Sequence, residues 1–340
     1  MDDFGPLETL LQNPDLIEIM INGPDSIYVW DRWKGHIRAN VQFDDTTHLR
    51  EIMDRVLASF GETISFERPI VNTRLTDGST VRAIIPPISI QGPVMTISRS
   101  MTETMTIERL IENDNISQAA ADFLRACVLA RLNIIVYGGF LSGKNTLLNV
   151  LAHQIPEHAR VIAIHNIADN TLQHHDRVVL ETRPADIDGK GAVTVKQLLD
   201  LALEMSPMRL IVGEIQGEEV GTLINIMSAG YNVMAAMTAV NARDALSRME
   251  TYAITSGPSA PLLSVRSQMA TGLHVLVGLE LMEDSIRRVT RISEVDGLRG
   301  DDVHVADLFT RAQGQAMRPT GTVSRFIERL DGIDSHIFMD

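Results

Sequence analysis

Gly138 and Gly143 stand five residues apart and run straight into Lys144, within the stretch GGFLSGKNTLLNVLA at 138–152. That spacing suits a loop whose backbone N–H groups wrap phosphate oxygens while the lysine adds a point charge at the outer phosphates. A Ser or Thr would ordinarily follow the lysine and hold Mg²⁺; here Asn145 follows it, with Thr146 one place on. Mg²⁺ demands near-ideal octahedral geometry, which a long amide side chain meets less well than a short hydroxyl. Phe140 and Leu141 also put bulk into the loop, and a side chain strains any position that needs positive φ. The expected chemistry is therefore phosphate binding by Gly138, Gly139, Ser142, Gly143, Lys144, Asn145 and Thr146. Mg²⁺ binding is expected to be weak, through Asn145 or Thr146.

For the loop to work, a buried strand must feed it and a helix must leave it, because the helix N-terminus presents unpaired N–H groups to an anion. LNIIVYGG supplies the strand and TLLNVLAHQ the helix. Downstream, RVIAIHN, RLIVGEI and the helical runs VKQLLDLALEM and EEVGTLINIMSAG keep alternating strand with helix. Such alternation predicts a mainly parallel sheet with helices on its faces. Upstream the texture differs. Short β runs in LIEIMINGPDSIYVWDRWKGHIRANVQF precede a capped amphipathic helix starting near Thr46 or Thr47, then PIVNTRLTDGSTVRAIIPP with a hairpin turn at Asp77-Gly78. Two domains are expected, 1–105 and 106–340, the second ending in a helical and β extension.

The chain has 340 residues, 44% of them hydrophobic, enough to bury real cores. Its formal charge of −14 argues against a protein built to grip nucleic acid or anionic lipid through a basic face. A single cysteine, Cys127, excludes a disulfide framework and reads as a small buried hydrophobe. The N-terminus lacks a basic and apolar leader, and no run of about 18 apolar residues occurs, so a cytoplasmic protein without a membrane span is expected.

Several ordered stretches, among them LIEIMINGPDSIYV, LETRPADIDGKGAVT, RLIVGEIQGEE, NARDALSRMETY and RPTGTVSRFIERL, resemble the secretion ATPases of Tad (Flp) pilus and type II/type IV secretion machines, most closely the CpaF-like branch. The resemblance spans nearly the whole chain. It implies a PAS-like N-terminal α/β domain and a RecA-like P-loop domain, assembled as hexameric rings with ATP or ADP between the domains. It also implies inner-membrane platform proteins as partners, with peripheral attachment through them. The family's Walker A lysine falls on Lys144 and its Walker B carboxylate on Glu214, both kept. Its acidic pair falls on His165 and Asn166, with Asp169 three places later; the arginine after Walker B falls on Gln216. The two histidines of its His box fall on Tyr231 and Thr238. The cations before Walker B fall on Glu204 and Ser206, and of the N-terminal pair only Arg99 remains. These departures remove carboxylate, histidine and arginine groups while leaving scaffold motifs in place. Two readings stay open: a hydrolysis-deficient subunit that joins or regulates an active ring, homo- or hetero-hexameric, and a slow but genuine ATPase.

Other candidates have plainer readings. His174-His175 is expected to be a surface loop, since neighbouring side chains diverge. Glu218-Glu219 at a helix start is expected to serve capping. The methionines of INIMSAGYNVMAAM are expected in the core, and SIRRVTRISEV as the solvated face of a strand.

Overall fold

The change of texture near residue 104 is also where the structure divides, into units 1–104 and 105–340. The structure, a computed structural model, describes residues 4–31, 34–74, 79–99, 105–164, 174–183, 185, 190–255 and 261–339. In the first unit, α1 (Leu7–Gln12), β1 (Leu16–Ile21), β2 (Ile27–Asp31) and β3 (Gly35–Arg38) precede α2 (Thr46–Ala58). β4 (Ile70–Arg74), β5 (Thr80–Ile84) and β6 (Val94–Ser98) follow. All pairings are antiparallel, in the order β3-β2-β1-β6-β5-β4. Asp45 caps α2 by accepting from the His48 N–H at 2.8 Å, and the helix begins at Thr46, as expected. Leu49, Ile52, Met53, Val56 and Leu57 then share a core with Ile19, Val81 and Ile97 from the strands. The Asp77-Gly78 turn lies outside the described residues.

The second unit opens with α3 (Ile107–Glu112) and α4 (Gln118–Leu129), followed by β7 (Ile134–Gly138), α5 (Lys144–Ala152), β8 (Val161–Ile164) and β9 (Arg177–Leu180). Then come α6 (Val195–Glu204), β10 (Arg209–Glu214), α7 (Glu219–Ser228), β11 (Val233–Thr238), α8 (Ala242–Thr255) and α9 (Leu262–Gly272). β12 (Val275–Leu281), β13 (Arg287–Arg299), β14 (Asp302–Thr310) and β15 (Arg318–Pro319) complete it. The nine strands run β15-β14-β13-β12-β7-β11-β10-β8-β9. From β12 to β9 every pairing is parallel, while β13, β14 and β15 add antiparallel. β7 shows the two-sided burial of such a sheet: Ile134 and Val136 enter one core with α4 and α5, Ile135 and Tyr137 another with α7 and α8.

β9, just after His174-His175, is not among the strands expected from the sequence. It is an edge strand with alternately exposed residues, so it lacks the apolar run that marks a buried one. Met227, Met234 and Met237 are buried, as expected for core methionines, and Cys127 is fully buried.

Where the parallel strands begin, buried Asn133 ties three of them. Its Oδ1 accepts from the Val233 N–H at 2.7 Å, its Nδ2 donates to the Gly272 carbonyl, and its own N–H donates to His274 Nδ1 at 2.8 Å. That last bond requires a neutral imidazole with its proton on Nε2. Burial first, then Arg329 and Arg325, push the His274 pKa down to about 4 from the ordinary 6.5. Between these values the unfolded chain binds the extra proton, so stability rises with pH. The His274 contribution is thus whole above about pH 6.5 and is lost as pH falls toward 4. Urea midpoints taken from pH 7 to pH 5 should fall in the wild type and fall less in His274→Gln; parallel curves would contradict this.

Candidate nucleotide-binding site

β7 lies between β12 and β11 with all five residues buried, so its C-terminal end is fixed before the loop starts. Gly138 has no room for more: a Cβ there would sit 2.4 Å from the Leu279 carbonyl oxygen and 2.5 Å from Ser142 Oγ. The chain then turns through Leu141 at φ 59° and Gly143 at φ 91° before α5 begins. Glycine takes that region freely, whereas a side chain at Leu141 costs roughly 1–2 kcal/mol. Bulk in the loop therefore falls on a left-handed residue, as the sequence warned. Phe140, 86% exposed, projects into solvent.

α5 has Gly143 as its N-cap, with no capping side chain, so its first-turn N–H groups are left for a ligand. Lys144 opens the helix yet is only 6% exposed. Its Nζ donates to the Gly139 carbonyl at 2.9 Å and stands 3.9 Å from Glu214 Oε1 at the end of β10. Burial holds the ammonium below the usual lysine range, with Glu214 opposing. Thr238, ending β11, donates its hydroxyl to the same Glu214 oxygen. Ser142 Oγ is buried with no hydrogen-bond partner, an orphan that calls for a ligand or water. The ends of three adjacent parallel strands thus gather Lys144, Glu214 and Thr238, in the crevice where ligands bind such sheets. The loop fits a phosphate. For Mg²⁺ the described residues offer exposed Asn145 and Thr146 on the first turn of α5, and the Glu214 carboxylate.

The other expected positions are less well gathered. Tyr231 lies just ahead of β11, at the opposite end of that strand from Thr238 and roughly 20 Å away by strand rise. Of the two positions, only Thr238 therefore stands at the loop's end of β11 within this chain. Gln216 is exposed beyond β10, and its N–H donates to Glu219 Oε1 at 2.7 Å. Glu219 also accepts from the Gly217 N–H at 3.0 Å, so this buried acid closes the turn before α7, in keeping with a capping role. His165, Asn166 and Asp169 lie outside the described residues. Within the first unit the Arg99 guanidinium donates to the Asn13 carbonyl. Glu204 ends α6, and Ser206 takes a left-handed turn at φ 55° before β10. His174 Nε2 contacts the Pro156 carbonyl at 3.1 Å, and His175 is exposed near Glu157.

The reading of SIRRVTRISEV as a solvated face fails at its start. Arg287 is half-buried, and its Nε donates to the Leu141 carbonyl at 2.8 Å. No local signal marks it, because the partner is 146 residues away.

The sequence matches the family described as "Type II/IV secretion system protein" over residues 1–322, and the chain belongs to that family. A Mycobacterium tuberculosis protein named for conjugal transfer is 30% identical over 296 residues, covering 85% of this chain and 83% of its own length. The type IV secretion system protein PtlH of Bordetella pertussis is 26% identical over 322 residues, with 86% and 94% covered. In fold the chain is similar to the ATPase DotB of Yersinia pseudotuberculosis, with TM-score 0.59 at 13% identity over 87% of this chain and 78% of that one. It is also similar to the pilus retraction motor PilT with bound ADP, with TM-score 0.57 at 15% identity over 88% and 81%. The fold is therefore that of the secretion ATPases, a small N-terminal α/β domain followed by a RecA-like domain with a mainly parallel sheet. Among the described residues no helix is long and apolar enough to cross a membrane.

Proposed function

We propose that this chain is a secretion- or pilus-motor subunit of the CpaF-like type that binds ATP or ADP on loop 138–146 and hydrolyses it weakly or not at all. One observation carries the reading. The loop, its lysine and the helix behind it are built, while the described carboxylate nearest Lys144, Glu214, is engaged by Thr238 where relatives are expected to place histidine. Thr238 fills one acceptor site of Glu214 and brings neither the charge nor the proton relay of a histidine, and Gln216 supplies no charge. Bound Mg²⁺ would supply charge neutralisation at the phosphates; Asn145, Thr146 and Glu214 are the residues that would hold it.

Missing base and arginine groups typically cost about 10²–10⁴ and 10³–10⁵ in rate, and such losses do not multiply cleanly. Nucleotide would then act as a structural ligand, stabilising the fold by mass action. In this reading the subunit enters a homo- or hetero-hexameric ring with a related secretion ATPase. It reaches the cytoplasmic face of the inner membrane through platform proteins. The slow-ATPase alternative draws on the 3.9 Å approach of Lys144 to a retained Glu214. ADP and ATP titrations followed by thermal unfolding test the binding half. A saturable rise in the midpoint is expected, and no rise with either nucleotide would overturn it.

A further inference from the structure

Arg287, the first residue of β13, reaches back to the loop from a strand that the parallel core does not need. Its Nε donates to the carbonyl of Leu141, the residue held at φ 59°, and its Cδ lies 3.0 Å from where a Cβ on Gly143 would stand. The strand end that carries it is pinned in turn. The Arg287 carbonyl accepts from Asn115 Nδ2, and the Val289 N–H donates to the Asn115 carbonyl at 2.8 Å. Next to it, Arg288 pairs with Asp284 at 2.6 Å and Asp114 at 3.4 Å, and buried Arg311 holds the same Asp114 at 2.9 Å.

We propose that Arg287 is a positioning residue that holds the phosphate loop in its anion-receiving shape, with the Asp114-Asn115 turn as its anchor. The inference rests on the reading that the loop takes nucleotide phosphate. A Phe-Leu-Ser tip has no intrinsic reason to keep a left-handed residue, and on relaxing to ordinary φ it would rotate the peptide units flanking Leu141. A charge-assisted bond to the Leu141 carbonyl selects the conformer in which that oxygen faces β13. A second bond from a fixed strand end is what such selection requires. If Asn115 or Asp114 let go, Arg287 would lose its aim, so the turn between α3 and α4 is linked to the loop through one side chain.

The test uses Arg287→Ala and Arg287→Lys, each alone and combined with Leu141→Gly, which removes the side chain that resists positive φ. In the nucleotide-free protein, exchange of the Ser142 and Leu147 amides, which donate to the Gly139 and Gly143 carbonyls of the loop, should quicken about tenfold or more in Arg287→Ala, as for loss of one charged hydrogen bond, and partly recover in Arg287→Lys. Exchange in β7 should stay unchanged, which separates loop release from general unfolding. ADP affinity should fall about tenfold in Arg287→Ala but less than about threefold when Leu141→Gly is present, because the glycine makes the tether less necessary. Unchanged exchange at Ser142 and Leu147, or equal affinity losses in both backgrounds, would overturn the proposal. Should ADP bind no version of the protein, the nucleotide reading fails, and the exchange measurement still decides the role of Arg287.

Discussion

Lys144→Met is expected to move two quantities in opposite directions. Without nucleotide, the variant should be as stable as the wild type or more stable, by up to about 1 kcal/mol, because burying an ammonium beside a partly exposed carboxylate returns little. Glu214 is not orphaned by the change, since Thr238 still donates to it. With nucleotide the order reverses. A ligand at a hundred times its Kd adds about 2.7 kcal/mol, a midpoint rise of roughly 5–10 °C for a domain of this size. Removing a charged donor to phosphate weakens binding by about 1.5–3 kcal/mol, roughly 10- to 150-fold, so about half of that rise or more should vanish. Thermal unfolding with and without ADP reads both. A less stable empty variant, or an undiminished nucleotide shift, would mean that Lys144 serves structure and not phosphate.

Gly138→Ala should be the most damaging single methyl in the loop. Its Cβ would stand 2.4 Å from a backbone oxygen of β12, and neither β7 nor β12 can move aside within a nine-stranded sheet. Overpacking of this kind costs about 3 kcal/mol, a fall of roughly 6–12 °C in Tm. Gly139→Ala, one residue on, meets no atom within 4 Å and should change stability by less than about 0.5 kcal/mol. Chemical denaturation of the two variants side by side checks the contrast. Equal effects would show that the strand end is softer than its packing implies.

These two glycines also show how far the sequence could be read. Spacing alone placed Gly138, Gly143 and Lys144 at a strand–loop–helix junction, because that signal is local and periodic. It could not say which glycine lacks room, since the crowding atoms belong to Leu279 and Ser142. Leu141 was readable as bulk in the wrong place, but its left-handed φ and the arginine that answers it come from a strand far along the chain. β9 was missed because an edge strand buries only one face. The antiparallel addition of β13 to β12 likewise left no periodic mark that distinguishes it from another parallel strand. Tyr231 and Thr238 looked equivalent as substituted positions. An extended strand put only Thr238 beside Glu214, a separation that strand geometry dictates once β11 is recognised.

The pairing of Thr238 with Glu214 gives the proposed function its point of greatest exposure, because a threonine there supplies neither the charge nor the proton relay that fast hydrolysis draws on. Phosphate release from ATP with Mg²⁺ by the purified chain, with Lys144→Ala as the contamination control, tests it most directly. The expected rate is indistinguishable from that control, alongside a nucleotide-dependent rise in Tm that the control lacks. Turnover present in the wild type and lost in Lys144→Ala would contradict a non-hydrolysing subunit and make Glu214 the first base to replace.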